Sequence, residues 1–550
     1  MKRVTFIFVC LSFATLCQAR TITVDDDGLA DFSTIQAAID DSNNGDVIIV
    51  APGTYTGPGN LNIDFRGKAI AVRSQNGPEV TILACKGEGR GFQFLSGETV
   101  TSKLCGFTIR QGGLPATNWG GGIYCLGSSP TITDCVITEN VAGKGGGVLC
   151  ENGASPTLVR CRITRNRGEG GAGILCVDDT DFPTLINCTI SENIEDGNGG
   201  GIVFYGNGSV TLINCTVSGN VLGGGICGGN APLLINCAII GNYLGAVGST
   251  SPTLINCTVA DNGGGVSGDA TLTNCIVWGN CGGSVSYTDK VSYSCIESVE
   301  LWPGIGNINQ NPLFLSRGHW DDSGTPGEDW QVMRDDVWVN GDYRLRPDSP
   351  CINTGDPNYV VEPNETDLDG KPRVMGSRVD MGAYEAVLPE IEVTMKFTPQ
   401  AINCNSKGKW VKTHFVLPEE FAVEDVDANT PAKIESLGIK SDHLNVFINE
   451  DGVVEIEAAF ERVAFCDAIA GCGPIEITVV GLLTRGQYFY GTDTIKIIKN
   501  NFECLAILSS HWLEMNCGKP DWCNGFDADR DTTVNLKDFA FMAFHWLEER

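Results

Sequence analysis

One hexapeptide pattern, Cys-x-(Ile/Val)-x-x-Asn, recurs seven times between Cys135 and Asn280. Its copies start at Cys135, Cys161, Cys188, Cys215, Cys237, Cys257 and Cys275, so the period runs 26, 27, 27, 22, 20 and 18 residues. A repeat this short and this rich in β-branched residues is no helical hairpin; it reads as one coil of a β-solenoid. Such a coil cannot bury a face alone. Neighbours stacked about 4.8 Å apart must supply its core, which places like residues above one another in ladders.

In the copy from Pro183 to Ile190, strand alternation predicts that Ile186, Cys188 and Ile190 face inward while Asn187 and Thr189 face out. The same register puts Ile213, Cys215 and Val217 inside the next coil. The Asn that ends each copy suits a left-handed turn, and its amide can bond to its counterparts above and below.

A solenoid must also close its open end, where strand edges and core would otherwise meet water. Thr21 to Val24 alternates as a strand, Asp31 to Asp41 has the helical spacing of Ile35, Ala38 and Ile39, and Val47 to Val50 is a buried strand ending at Pro52-Gly53. Together they form an expected cap. Beyond the coils, alternating runs at Ile391 to Phe397, Trp410 to Leu417, Val453 to Phe460 and Ile475 to Leu482 suggest an immunoglobulin-like β-sandwich.

Lys2 and Arg3, the apolar run Val4 to Leu16 and Cys17-Gln18-Ala19 match a secretory signal. No later stretch is long and apolar enough to span a bilayer. The net charge of -30 disfavours nucleic acid and anionic lipid as partners. Of 24 cysteines, 22 follow the signal, and an exported chain can oxidise them. Those on the repeat also suit a core as small apolar groups. Cys466 with Cys472 and Cys517 with Cys523 lie in loop-like sequence and are the expected disulfides.

The ladder and the opening segments, Thr21 to Val24, Asp31-Phe32-Ser33-Thr34-Ile35-Gln36-Ala37-Ala38-Ile39, Gly45-Asp46 and Pro52-Gly53-Thr54-Tyr55, resemble the right-handed parallel β-helix proteins often called pectin-lyase-like. That resemblance implies the fold. It is shared by esterases, lyases and proteins without a known reaction, so it implies no single activity. Asn311-Pro312-Leu313-Phe314, Ser349-Pro350-Cys351-Ile352-Asn353 and Asp380-Met381-Gly382-Ala383-Tyr384-Glu385 look like the closing segment of bacterial surface β-helix proteins.

At the C-terminus, Asp527, Asp529, Asp531, Asn535 and Asp538 stand at positions 1, 3, 5, 9 and 12 of a loop, with the Thr533 carbonyl at position 7. Oxygen ligands at that spacing wrap calcium. The loop departs from the usual pattern in Thr532, where a turn glycine is common, and in ending on Asp. The segment Phe539 to Glu548 repeats Leu505 to Glu514 at a displacement of 34 residues. This duplication resembles a type I dockerin, which implies a cohesin partner. Only the second copy keeps its loop, so one calcium is expected, and a calcium-stapled cap without a partner explains the same residues.

For catalysis, a lyase needs calcium-holding carboxylates and a basic side chain that removes a proton. Arg162 and Arg165 sit on the most basic coil, and Asp178, Asp179 and Asp181 form the densest carboxylate group nearby, a second candidate calcium site. A plain alternative is an ion-pair column, since Glu139 and Glu192 occupy the positions above and below Arg165, and a solvated acidic loop. All five histidines lie outside the coils, which removes a Ser-His-Asp triad or His-bound zinc from the solenoid. Trp320, Trp330 and Trp338, set among acids, can stack on sugar rings, or they glue an insertion onto the coils.

The expected architecture is therefore all-β: a secretory signal over 1–19, a right-handed parallel β-helix with its cap and closing segment over 20–388, a β-sandwich over 389–499 and a small helical dockerin-like module over 500–550. The expected role is binding of extracellular polysaccharide. A calcium-dependent polysaccharide lyase and a purely structural surface protein are the alternatives.

Overall fold

The computed structural model describes residues 19–499 except 114–118, 196–198, 287, 289, 322–336, 377, 389, 405, 470–472 and 485. Trp330, Cys472, Cys517, Cys523 and the calcium loop with Asp527, Asp529, Asp531, Thr533, Asn535 and Asp538 lie outside the described residues, as does the signal up to residue 18. The described residues form two compact units, those up to 374 with 378–386 and those of 375–376 with 387–499. Among the described residues, no helix is long and apolar enough to cross a membrane.

The first unit is a right-handed parallel β-helix. Successive coils stack their strands into three parallel sheets, here called A, B and C. Sheet A has twelve strands from Thr21–Val24 to Val291–Ser292, sheet B eleven from Gly53–Tyr55 to Cys295–Ile296, and sheet C nine from Ile63–Asp64 to Val266–Ser267. Pairing is in register, Leu158 on Leu185 on Leu212 in sheet A and Ile163 on Ile190 on Val217 in sheet B. These residues form one continuous core. The helix Ile35–Asp41 buries Ile35, Ala38 and Ile39 over the open end, and the Ile35 amide donates to Asn60 Oδ1 at 3.0 Å.

The predicted strand parity is wrong in one respect. Cys188 and Ile190 are buried, but Ile186 is half-buried on the outer side of sheet A, and Leu185 takes the inner place. Ile213 is displaced in the same way by Leu212. The reason is a left-handed residue between two strands. Asn187 (φ 54°) and Asn214 (φ 52°) turn the chain from sheet A into sheet B, so alternation restarts at the following Cys. Ile186 and Cys188 therefore belong to different sheets.

The terminal Asn of each copy is likewise not the left-handed residue; that is the residue before it, as in Glu139 (φ 56°), Arg165 (φ 53°) and Glu192 (φ 54°). Freed from the turn, the terminal Asn points inward and forms the expected ladder. Asn193 Nδ2 donates to Asn220 Oδ1 at 3.0 Å and to the Ile163 carbonyl at 3.0 Å, and its Oδ1 accepts from Asn166 Nδ2 at 3.1 Å. Six such amide-to-amide bonds run from Asn140 to Asn280.

Beyond the coils, residues 312–321, 337–374 and 378–386 fold back along the outside as a strap. It pairs Phe314–Ser316 with Asp342–Leu345 and His319–Asp321 with Val337–Val339. It holds the asparagines at the sheet A to B corner: Asn214 Nδ2 meets Thr366 Oγ1 at 3.2 Å, Asn236 Nδ2 the Thr366 carbonyl at 3.0 Å, Asn256 Nδ2 the Tyr359 hydroxyl at 2.9 Å, and Asn274 Oδ1 accepts from the Asp356 amide at 2.7 Å. A fully buried Arg373 pairs with Glu385 at 3.2 Å inside it.

The second unit is a two-sheet β-sandwich. The four-stranded sheet contains Trp410–Val416 and Val454–Glu461, the six-stranded sheet Gly473–Leu482 and Tyr488–Ile498. Phe415, Ile456, Ile477 and Phe489 from both sheets share one core. The expected Cys466–Cys472 disulfide is replaced by Cys404–Cys466, which spans 62 residues. The helix Arg462–Ala468 brings Cys466 to the strand Ala401–Asn403, where Arg462 Nη1 also donates to the Asn403 carbonyl at 3.3 Å.

Candidate functional site

Arg162 and Arg165 lie on or beside a sheet B strand that the strap leaves open. Arg162 Nη2 stands 2.8 Å from Glu79 Oε1, and Arg165 Nε 3.7 Å from Glu192 Oε2. Their side chains are 58% and 61% exposed, so both are partners in surface ion pairs. Asp178, Asp179 and Asp181 serve three separate sets of backbone donors. Asp181 is buried and accepts from the amides of Gly153, Ala154, Val177 and Asp178 at 2.9–3.0 Å. Asp178 takes the Asn152 amide at 2.6 Å and Asp179 the Asn207 amide at 2.7 Å. These carboxylates tie one coil's loop to the next and do not converge on one point as ligands of a cation would. Among the described residues, the acidic group whose oxygens do gather is Asp25, Asp26 and Asp27.

Trp338 is not a free sugar platform; of the two readings its sequence left open, its burial fits the one in which it fastens the insertion to the coils. It is 6% exposed and lies flat on Gly219 and Gly241, where a Cβ would come within 2.6 and 2.2 Å of its ring or stem. Those glycines occupy the left-handed position that carries Glu139, Arg165 and Glu192 in earlier coils, and Asp261 in a later one. Asp261 completes the pad by accepting from Arg317 Nε at 2.9 Å and the Tyr343 hydroxyl at 2.6 Å. Trp320 is half-buried, edge-on to Trp338 at 5.5 Å and to Tyr243 at 6.2 Å. The two tryptophans hold the strap to the coils.

Open aromatic rings occur elsewhere, on the outside of sheet C. From Gly120 onward the coils enter this sheet through runs of small residues such as Gly145-Gly146-Gly147, because successive coils approach too closely for side chains; a Cβ on Gly147 would stand 2.5 Å from the Gly173 carbonyl. The outward residues then stack in register as Tyr124, Leu149, Leu175, Val203, Cys227, Gly248 and Ser267, of which Leu149, Leu175 and Val203 are themselves buried as a small second core. Side-chain bulk falls along this column. At its small end a groove of about 300 Å³ opens over Cys227, Gly248 and Ser267.

Trp119 stands at the large end and Tyr205 follows Val203 in mid-column, 39% and 53% exposed. Lys144, bridged to Trp119 through the backbone, sets its Nζ 4.5 Å from the Trp119 ring centre and 5.4 Å from that of Tyr205. Arg90 lies 5.0 Å over Tyr124 and fixes the loop by donating from Nε to the Trp119 carbonyl at 2.7 Å. Burial lowers the Arg90 pKa from its ordinary value. Tyr124 donates to Glu151 at 2.7 Å, and burial followed by that carboxylate raises its phenol pKa. Burial, with the Glu195 charge behind it, raises that of Tyr205 as well. Sequence reasoning missed this wall because its residues come from different coils and from outside the Cys-Asn repeat.

Residues 69–239 match the model of the right-handed β-helix region family. No curated protein sequence matches the chain. Solved structures that resemble it include two with polysaccharide-related names. Pectate lyase Pel9A is 18% identical with a TM-score of 0.43, over 67% of this chain and 96% of that one. The pectin methylesterase from carrot is 13% identical with a TM-score of 0.24, over 52% of this chain and 88% of that one.

Proposed function

We propose that the protein is an exported β-helix that binds extracellular polysaccharide along the outer wall of sheet C. The observation that carries this reading is the pair of open rings, Trp119 and Tyr205, on a rigid stacked scaffold. Sugar rings present apolar C–H faces that lie well on such aromatic surfaces, and a preformed wall spares the cost of ordering loops. Export rests on the signal-like residues 1–19. Attachment rests on the calcium loop from Asp527 to Asp538, for which calcium would be a stabilising ion and a cohesin the partner.

The test is retention of the full chain on a panel of soluble and insoluble polysaccharides, read by affinity electrophoresis. Each aromatic contact is worth about 0.5–1.5 kcal/mol beyond buried area, so Trp119→Ala with Tyr205→Ala is expected to weaken binding about 10-fold or more. Unchanged retention in that double variant would overturn the reading. The lyase alternative predicts instead an ultraviolet signal from unsaturated products that disappears in Arg165→Ala.

A further inference from the structure

Among the described residues, Lys144 is a cation without an anion. In a chain of net charge -30, its Nζ faces two aromatic rings and, among the described residues, neither a carboxylate nor a hydrogen-bond acceptor. Surface lysines of this β-helix elsewhere do find acids, as Lys290 does with Asp269 and Lys371 with Asp369. Ring faces attract a cation through their quadrupoles but accept none of its three N–H bonds in the manner of an oxygen. The rings also fix the position of the charge. Trp119 is held through its carbonyl by Arg90. Tyr205 is held by close packing, since a Cβ on Gly170 would stand 1.8 Å from its hydroxyl.

We infer that Trp119, Lys144 and Tyr205 form a binding site for an anionic sugar ring, one that carries a carboxylate or a sulfate group. The ring's apolar face meets an aromatic side chain, and its acidic group receives the N–H donors of Lys144. This inference rests on the polysaccharide-binding reading and adds the ligand class and the residue that selects it. The strongly acidic remainder of the surface repels polyanions, so binding of an acidic glycan here has to be local. A single cation also gives it a shallow salt dependence, unlike the steep one of an extended basic patch.

The experiment measures the full chain against three probes of similar length: a carboxylated polymer (polygalacturonate), a sulfated one (dextran sulfate) and neutral dextran. Tighter binding of at least one acidic probe than of dextran is expected, with the two acidic arms showing which group the site prefers. Lys144→Gln is expected to reduce that preference about 10-fold or more while Lys144→Arg keeps most of it. Neutral dextran bound as tightly as both acidic probes, or an unchanged preference in Lys144→Gln, overturns the acidic-ligand inference but leaves polysaccharide binding standing. No retention by any polysaccharide in either this experiment or the wider panel removes both. The thermal midpoints of the variants, expected to match the parent because Lys144 makes no buried bond, separate lost recognition from lost folding.

Discussion

Trp338 sits on Gly241 so closely that a Cβ added there would be 2.2 Å from its Cε2 atom. The bare backbone of one coil is thus the seat of an indole from a segment nearly a hundred residues later. Gly241 also holds φ at 60°, a left-handed conformation that costs other residues about 1–2 kcal/mol. Gly241→Ala is expected to loosen the strap, seen as faster proteolysis between residues 317 and 345 and a lower denaturant midpoint. Trp338→Ala should cost about 3–5 kcal/mol, in the range of large aromatic deletions from a core. Equal protease resistance in parent and variants would refute this anchoring.

The asparagine ladder makes a graded prediction. Asn193→Ala removes donors to Asn220 Oδ1 and the Ile163 carbonyl and an acceptor for the Asn166 amide, all buried. Stranded buried groups cost about 1–3 kcal/mol each, so a loss of about 3 kcal/mol or more is expected in urea unfolding. Asn280, at the end of the ladder, has no further amide to receive its bond. Asn280→Ala should cost less.

Thiol chemistry should divide the cysteines sharply. Burial alone pushes the Cys85 thiol up to about 12, and it is the first cause raising Cys125, Cys215, Cys237 and Cys275. Cys281 is exposed. Iodoacetamide at pH 8 is expected to label Cys281 in minutes while those buried thiols react only after unfolding, as read by peptide mass spectrometry. Early labelling of Cys215 or Cys237 would contradict their inward stacking.

Asp380 sets a pH dependence in the strap. Burial, the largest effect, pushes its carboxyl up to about 6, against opposing pulls from the Ala386 and Asn353 amides and Arg373. A carboxyl ionising near 3.9 in the unfolded chain thus holds its proton more tightly in the folded one. Its contribution is fully present below pH 4 and is lost as pH rises through about 6. A hundredfold difference in proton affinity corresponds to about 3 kcal/mol. Relative to Asp380→Asn, the parent is expected to lose up to about that much stability between pH 4 and 7, measured by parallel denaturant melts. A constant difference across that range would disprove the coupling.

For the tail, calorimetric titration of the chelator-treated full chain is expected to find a single calcium site that Asp529→Ala abolishes. Binding of two ions would mean that the first repeat retains a loop that its sequence lacks.

Much of the architecture was legible because the solenoid writes its core into a repeat. The Cys column, the Asn ladder and the capping helix with Ile35, Ala38 and Ile39 all follow from spacing. Parity failed at Ile186 because one left-handed residue, Asn187, resets alternation without a Gly or Pro to mark it. The signal was present in the recurrent Asn before Cys at 187, 214, 236, 256 and 274, a residue type that tolerates this backbone. The role of Trp338 stayed undecided between two readings for a related reason. Its seat is visible only as missing side chains at Gly219 and Gly241, and the meaning of an absent side chain depends on which distant segment comes to fill it. The Trp119, Lys144 and Tyr205 group was invisible because only stacking brings those coils side by side.

The strap acts as a ruler. It grips Asn214, Asn236, Asn256 and Asn274 at fixed intervals, so coils in that span are measured against a second, unrepeated stretch of chain. Duplicating a coil there would put every later grip out of step, whereas a duplication between Thr108 and Ser191 would meet no such gauge. Descendants of this molecule are therefore free to grow or shorten at their front half, and the length of the rear half is inherited whole.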